Sequence, residues 1–295
     1  MKIFLENVNL ESNGGPNSFG RKLVKQFSNN HDFVRNERDA QISLCFIESL
    51  RNLDIPRVQR LDGIYYNTRG DYKSQNHNIL ETFKKSEGII YQSIYGKKLI
   101  DKYFGEHKNS KIIYNGADMS VIENANPITP PKGINDVWSC AASWRPHKRL
   151  LDNIRYFLEH KKEGDILLVA GDTPHVVKDS SIYYMGILTQ EQLYSVYKSS
   201  KYFLHLGWLD CCPNVVVDAR ACGATIVCAD SGGTREIAGL NAVVIAESEP
   251  WDFEPIDLYN PPPLNFSNKV KNTFNSCYKM EDVAVKYEKF METFI

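Results

Sequence analysis

The chain has 295 residues, of which 42% are hydrophobic and 24% charged, and its formal net charge is -1. That length and composition indicate a globular protein of about two domains, and the charge gives the molecule as a whole no attraction for nucleic acid. No apolar run approaches the roughly 20 residues that span a bilayer, and the start, MKIFLENVNLESNGG, lacks the features of a signal peptide.

Strand-like apolar runs alternate with amphipathic helical stretches, a pattern typical of parallel sheets with right-handed crossovers. The predicted strands of the first half are Lys2–Leu5, Ile42–Phe46, Arg57–Arg60, Gly88–Tyr91 and Lys111–Tyr114, and its predicted helices include Ser18–Gln26 and Lys97–Phe104. The predicted strands of the second half are Val137–Ala141, Asp165–Ala170, Ile182–Met185, Tyr202–Leu206, Thr225–Ala229 and Ala242–Ile245. Its predicted helices are Leu150–His160, Thr189–Ser199, Pro213–Ala221 and Met280–Phe294.

A domain boundary is expected in Asn124–Gly133, NANPITPPKG, because its three prolines can continue neither a helix nor a central strand. The sequence therefore predicts an N-terminal domain over 1–133, a second domain over 134–280 and a terminal helix over 281–295. The odd number of cysteines, seven, without a C-x-x-C pair favours reduced thiols in a cytoplasmic protein.

Two loops that follow predicted strands could meet an anion. The first, ESNGGPNSFGRKL, carries Gly14 and Gly15, which let a backbone approach a phosphate closely. The second, CAASWRPHKRL, places Arg145, His147, Lys148 and Arg149 together, where cations can neutralise a diphosphate leaving group. A solvated basic helix start is the alternative interpretation of the second loop, although it opposes the helix dipole.

The segment Tyr202–Gly239, YFLHLGWLDCCPNVVVDARACGATIVCADSGGTREIAG, is the most informative part of the chain. A strand leads into a loop with Asp210, and Pro213 starts a helix that carries Asp218 eight residues after Asp210. The backbone N–H groups in the segment Cys212–Val215 would lie at the positive end of that helix. Such a position suits a phosphate or a sugar hydroxyl. Two polar residues at a helix start and on its surface are the structural alternative.

This segment resembles the signature of the group 1 glycosyltransferases, also called glycosyltransferase family 4. Those enzymes are retaining and have the GT-B fold, with two Rossmann-like domains whose parallel sheets face each other across a cleft. The family has two glutamates separated by seven residues and then a Gly-Gly-x-x-Glu. Here Asp210 and Asp218 keep the spacing with side chains one methylene shorter, and Gly232, Gly233 and Glu236 follow.

The resemblance assigns roles to the donor site. It implies that Asp210 meets the donor sugar, Asp218 the ribose, and Arg145 and Lys148 the diphosphate. The remaining donor-binding residues that it implies are Gly14, Gly15, Gly186, Ile187, Leu188, Cys212, Pro213, Asn214 and Val215. Asp62 stands where family members often place a histidine near the donor sugar, although Asp-Gly is also a common turn pair.

The predicted function is therefore transfer of a sugar from a nucleotide sugar to a glycan, lipid or protein, by a hexosyltransferase-like enzyme. The nucleotide sugar is a co-substrate, so no cofactor is expected, and the lack of a D-x-D motif predicts no essential metal. The lysines between positions 84 and 111 could attract an anionic membrane, or form a solvated helix face. A sugar-nucleotide 2-epimerase of the same fold and a degenerate nucleotide-sugar-binding module are the alternatives.

Overall fold

The computed structural model describes residues 1–12 and 14–295. The strands are β1 (Lys2–Glu6), β2 (Asp32–Val34), β3 (Ile42–Phe46), β4 (Arg57–Leu61), β5 (Gly88–Tyr91), β6 (Ser110–Ile112), β7 (Val137–Ala141), β8 (Ile166–Ala170), β9 (Ile182–Gly186), β10 (Tyr202–His205), β11 (Thr225–Ala229), β12 (Val243–Ile245) and β13 (Lys269–Lys271). The helices are α1 (Gly15–Phe27), α2 (Tyr72–Lys85), α3 (Ile94–Phe104), α4 (Met119–Asn124), α5 (Leu150–His160), α6 (Gln190–Ser199), α7 (Asn214–Ala221), α8 (Thr234–Ile237) and α9 (Met280–Met291).

The helix starts follow from side chains that accept hydrogen bonds from backbone N–H groups of the first turn. Ser93 accepts from the Gly96 nitrogen at the start of α3, at 2.9 Å. Thr189 and Gln192 form a reciprocal capping box at the start of α6. Pro213 is the residue before the first helical residue of α7 and not, as the sequence predicted, the first residue of that helix.

The chain forms two compact units. Unit 1 comprises Met1–Gly116, Asp252–Ile256 and Cys277–Ile295, and unit 2 comprises Ala117–Trp251 and Asp257–Ser276. The boundaries predicted after residues 133 and 280 stay predictions. The segment that follows Gly116 lies in unit 2 because Lys198 of α6 donates hydrogen bonds to the carbonyl oxygens of Glu123 and Ala125, at 3.3 and 2.7 Å.

Unit 1 contains a parallel sheet with the strand order β2-β1-β3-β4-β5-β6. α1 and α9 cover one hydrophobic core, in which the rings of Phe19 and Tyr287 lie 5.6 Å apart. A Cβ atom on Gly116 would lie 2.7 Å from the Met280 Cα, so the start of α9 approaches this backbone closely. Helix α2 has a largely polar sequence, and its buried face includes Ile79 and Phe83.

Unit 2 contains a sheet with the order β13-β12-β11-β10-β7-β8-β9, parallel except for β13. The β7, β8 and β10 strands are buried apolar runs, as a sheet with helices on both faces requires. Trp138 of β7 packs against Phe157 of α5, whose side chain is fully buried, with 5.7 Å between the rings. Burial of one such aromatic side chain contributes about 2–3 kcal/mol.

Among residues 1–12 and 14–295, no helix is both long enough and apolar enough to cross a bilayer.

Candidate functional site

The order of the strands in unit 2 indicates where on its sheet a ligand would bind. From β7 the chain proceeds outward through β8 and β9, and it then returns to β10 on the other side of β7 and continues through β11 and β12. In open α/β sheets the carboxyl ends of the two strands at such a reversal form the usual ligand site. Arg145 and Lys148 follow β7, and Asp210 follows β10, so these three residues lie on the loops at the reversal.

Lys148 and Asp210 form an ion pair in which the Lys148 ammonium contacts Asp210 Oδ2. The Nε2 atom of His205, the last residue of β10, lies 3.1 Å from the same Oδ2. Burial raises the pKa of Asp210, but Lys148 and His205 together hold this pKa well below its usual range. Asp210 is therefore ionised at neutral pH, and about one sixth of its side chain is exposed (16%).

His205 reaches Asp210 because Gly207 leaves room for the ring. A Cβ atom on residue 207 would lie 3.1 Å from His205 Nε2, tighter than most such contacts. Burial lowers the pKa of His205, although Asp210 opposes that shift. A neutral imidazole that meets a carboxylate through Nε2 donates its N–H there. Sequence alone does not single out His205, because a histidine at the end of a strand more often has a structural role.

The backbone of Asp210 is held by the Ser231-Gly232-Gly233 loop. The Gly233 nitrogen donates to the Asp210 carbonyl oxygen at 2.8 Å. Gly232 has a φ of +73°, and a Cβ atom on it would lie 2.7 Å from the Asp210 nitrogen. The glycine pair that the sequence placed in this motif thus supports the carboxylate through the main chain.

Arg149 does not join the cationic cluster that the sequence predicted after β7. Its guanidinium is fully buried and donates two hydrogen bonds to the Glu247 carboxylate, at 2.7 and 3.0 Å, and one to the Pro262 carbonyl oxygen, at 2.7 Å. Glu247 also accepts from the Ser231 hydroxyl at 2.7 Å. This network neutralises the Arg149 charge internally and joins the loops that follow β7, β11 and β12.

His147 is also unsuited to anion binding at neutral pH. Its ring is buried, stacks on Tyr259 with 5.9 Å between centroids, and has a pKa lowered to about 4, first by burial and then by the neighbouring Lys148. The imidazole is therefore neutral. Of the four basic side chains that the sequence placed in this loop, exposed Arg145 and partly exposed Lys148 remain available for an anion.

The predicted ribose ligand, Asp218, is 8% exposed and lies one turn into α7. Burial raises the pKa of Tyr194 and Tyr197 on α6, and the Asp218 charge adds to that shift. Cys212, Pro213, Asn214 and Val215 form the turn into α7 at the carboxyl end of β10.

Gly186, Ile187 and Leu188 follow β9, which the sheet order separates from β7 by β8. Gly186 has a φ of +65°, and its carbonyl oxygen accepts from the Gly171 nitrogen at 2.7 Å. The Ile187 side chain is 80% exposed, the largest exposure of an apolar residue in this part of the chain. Gly186 is exposed as well, and Leu188 is partly buried.

In unit 1, Asp62 follows β4 and belongs to a polar network. It accepts hydrogen bonds from Arg60 and Gln92, and Arg60 also donates to Asn115 Oδ1 and Tyr287 Oη, at 2.8 and 3.1 Å. Asp62 therefore does more than form the turn that its glycine neighbour suggested.

Gly14 precedes α1 and Gly15 begins it. Gly14 has a φ of -59° and would meet nothing closer than 3.5 Å through an added Cβ, so no contact inside the described chain requires a glycine there. Among the described residues, no group of histidine, cysteine, aspartate and glutamate side chains has an arrangement that would hold a metal ion.

No protein-family model matches the chain, and no curated protein matches it. Solved structures do match. They include HepE of Anabaena in complex with UDP and glucose, with a TM-score of 0.64 and 14% identity over 84% of this chain and 86% of that one.

Two further structures cover almost the whole chain. AviGT4, a glycosyltransferase involved in avilamycin A biosynthesis, has a TM-score of 0.63 and 12% identity over 99% of this chain and 97% of its own. WaaG, a glycosyltransferase involved in lipopolysaccharide biosynthesis, has a TM-score of 0.60 and 12% identity over 100% and 93%. The predicted α/β fold of two Rossmann-like domains, the GT-B class, is confirmed.

Proposed function

We propose that this protein is a glycosyltransferase that takes a sugar from a nucleotide sugar and retains its anomeric configuration. The observation that carries the proposal is the Lys148–Asp210–His205 cluster at the strand reversal of unit 2. An ion pair between a lysine and an aspartate does not by itself indicate a function. An ionised aspartate beside an accessible lysine, next to the first turn of a helix, suits a ligand that joins hydroxyls to phosphates.

The diphosphate is assigned to Lys148 and Arg145. Both follow β7, and the helix-start segment Cys212–Val215 follows the neighbouring β10. Charge that develops on the leaving diphosphate would be stabilised by these cations and by the N–H groups at the start of α7. HepE has been crystallised with UDP and with UDP-glucose, which supports a nucleotide-sugar donor for a chain of the same fold.

The rest of the donor is assigned to the other predicted residues. Asp210 meets hydroxyls of a hexose, Asp218 those of the ribose, and the backbone of Gly186, Ile187 and Leu188 the nucleobase. Gly14, Gly15 and Asp62 of unit 1 are proposed to contribute to the same reaction. The leaving diphosphate takes the acceptor proton, so the protein supplies position and charge stabilisation and needs neither metal nor further cofactor.

Unit 1 is proposed to bind the acceptor, which is a glycan, a lipid or a protein. Peripheral membrane contact is proposed from the lysine-rich stretch, in which three lysines are paired with acidic side chains. Lys84 pairs with Glu81, Lys97 with Asp101, and Lys102 with Glu254. A cytoplasmic location remains part of the proposal.

The test begins with thermal-shift measurements against UDP-, GDP-, ADP- and dTDP-linked hexoses. The member that stabilises the protein most is then incubated with it, and release of the free nucleoside diphosphate and the anomeric configuration of the product are followed by NMR. Activity that persists in EDTA is expected. Binding without release in the presence of glycan, lipid or protein acceptors would identify a binding module, and inversion of the anomeric centre would contradict the retaining mechanism.

A further inference from the structure

Asp210 poses a geometric problem for the proposed function. An aspartate side chain is one methylene shorter than glutamate, so its carboxylate depends more strongly on its immediate neighbours for position. Its Oδ2 atom is held from two directions, by Lys148 Nζ and by His205 Nε2 at 3.1 Å.

Lys148 and His205 differ in exposure and in their proposed roles. Lys148 lies in a short loop after β7, its side chain is 20% exposed, and the proposed function commits its ammonium to the diphosphate. His205 is the last residue of β10, its side chain is 4% exposed, and in the sheet it is aligned with Cys228 of β11. A bound diphosphate would therefore compete with Asp210 for Lys148, but it would leave the hydrogen bond between His205 and Asp210 in place.

The position of the His205 ring depends on the glycine at residue 207. Gly207 is the residue at which any side chain would crowd Nε2, since a Cβ there would lie 3.1 Å away. The Gly233 nitrogen meanwhile holds the Asp210 carbonyl oxygen at 2.8 Å. The side chain and the main chain of Asp210 are thus each held by a separate element.

We propose that His205 is a positioning residue for the donor-sugar site: it holds Oδ2 of Asp210 and thereby turns Oδ1 towards a hydroxyl of the sugar. This inference rests on the proposed function. His205 acts through Asp210 and touches no reacting atom. The shorter aspartate side chain is matched by a histidine at the end of β10, the strand that leads into the Asp210 loop.

The pH behaviour follows from the groups around Asp210. They are Lys148 and His147 from the loop after β7, His205 from β10, and Cys211 from the following loop; Glu236 of α8 acts in turn on Cys211. An ionised Asp210 is the stronger acceptor for a sugar hydroxyl. Loss of the His205 N–H removes a hydrogen bond to the charged form and raises the pKa of the carboxyl, but Lys148 remains beside it and keeps it ionised at neutral pH. The pH profile of kcat should therefore stay unchanged, so that a lower kcat reports the position of the carboxylate and not its charge.

The experiment compares His205→Leu, which removes the donor, with His205→Gln, whose amide N–H replaces Nε2–H without titrating. His160→Leu is the matched control, because His160 lies at the end of α5 and its Nδ1 contacts the Tyr156 carbonyl oxygen at 2.9 Å. The probe is the nucleotide hexose selected by the screen above, with its nucleoside diphosphate as a second ligand. We measure kcat, the Kd of the nucleoside diphosphate, the pH profile of kcat and Tm.

The expected result for His205→Leu is a roughly 10- to 100-fold lower kcat, a nucleoside diphosphate Kd within about twofold, and an unchanged pH profile. His205→Gln should restore most of kcat, and His160→Leu should change neither kcat nor Kd.

A His205→Leu protein with lower Tm but unchanged kcat would overturn the inference and leave the proposed function intact. The same holds if His205→Gln is as impaired as His205→Leu. If His205→Leu does not fold, His205→Asn, whose shorter amide does not reach Asp210, takes its place in the comparison: a lower kcat with an unchanged Kd supports the inference, and an unchanged kcat overturns it. Failure of the unmodified protein to bind any nucleoside diphosphate would overturn the proposed function, and this inference with it.

Discussion

Lys148 has two partners in the proposed reaction, the Asp210 carboxylate that it contacts in the structure and the diphosphate that it is proposed to meet. Lys148 is the main candidate for binding the diphosphate, because Arg149 is neutralised by Glu247 and His147 is an uncharged, buried ring. The loss of this single ammonium should therefore have a large effect on anion binding.

Lys148→Ala should weaken binding of the nucleoside diphosphate by about 1.5–3 kcal/mol, or roughly 10- to 150-fold in Kd, because a charge-assisted contact is lost. Titration calorimetry measures the change. Lys201→Ala is the control, since Lys201 is an exposed lysine at the amino end of β10 that pairs with Asp136 at 2.6 Å. Equal affinities in the unmodified protein and a folded Lys148→Ala protein would remove Lys148 from the site.

Asp210 and Asp218 should respond differently to conversion to the amide. Asp210→Asn releases Lys148 from its ion pair, so the affinity for the free nucleoside diphosphate should be unchanged or higher, while transfer from the intact donor falls. Asp218→Asn should weaken binding of both ligands by about 1–3 kcal/mol, because the ribose loses an acceptor in each. Parallel titrations with nucleoside diphosphate and nucleotide sugar test this, and equal losses of both ligands in both variants would refute the division of roles.

The loops at the carboxyl ends of β7, β10, β11 and β12 support one another, and this mutual support places the cluster. Arg149 and Glu247 join three of them, Gly233 holds the Asp210 carbonyl, and the Trp208 nitrogen donates to the His147 carbonyl oxygen at 2.7 Å. A substitution in one of these loops should therefore alter the positions of side chains in the others.

Gly232→Ala should affect both stability and catalysis, because the added Cβ would lie 2.7 Å from the Asp210 nitrogen while φ stays at +73°. Gly223→Ala is a matched control, since its φ is +96° and no atom lies within 4 Å of the added Cβ. We expect each to lower the free energy of unfolding by about 1 kcal/mol through backbone strain. Only Gly232→Ala should exceed this and reduce kcat, as denaturation and turnover measurements would show; equal effects would mean that the Asp210 contact is unimportant.

The chain as a whole crosses from one compact unit to the other more than once. After Trp251 it contributes Asp252–Ile256 to unit 1, returns to unit 2, and ends in unit 1 with Cys277–Ile295. The end of the chain belongs to the core of unit 1, since Met280, Val283, Tyr287 and Met291 of α9 are all buried there. A Cβ on Gly88 would lie 2.6 Å from the Phe294 ring, which shows how closely this segment packs.

Tyr287 tests the contribution of α9 to unit 1. Tyr287→Ala should lower the free energy of unfolding by about 3–5 kcal/mol, because a fully buried aromatic ring is lost beside Phe19. Tyr287→Phe should cost about 1–3 kcal/mol, because it removes the hydroxyl that accepts from buried Arg60. Urea denaturation measures both. Exposed Val285 on the same helix provides the control Val285→Ala, and comparable losses at 285 and 287 would mean that α9 is only loosely docked.

The local pattern was sufficient for the alternation of strands and helices and for the place of Asp210, Lys148 and the glycine pair, because uninterrupted apolar runs and turn residues act over a few positions. It missed β2, β13, α2, α4 and α8, whose short or polar sequences have a weak periodic signal. The two strands are defined by their pairing with β1 and β12, and α2 by the burial of Ile79 and Phe83, which are tertiary contacts.

The composition of the site was decided by contacts between residues far apart in the sequence. Arg149 and His147 sit beside Lys148 in the chain, yet Glu247 and Tyr259, about a hundred positions away, withdraw them from the anion site. His205 shows that even a short separation can hide a contact: Asp210 is only five residues away, yet the pairing depends on how the loop between them folds around Gly207. The sequence determined which residue types stand at the strand ends, and only the folded chain, through burial and pairing, decided which of their charges remain available to a ligand.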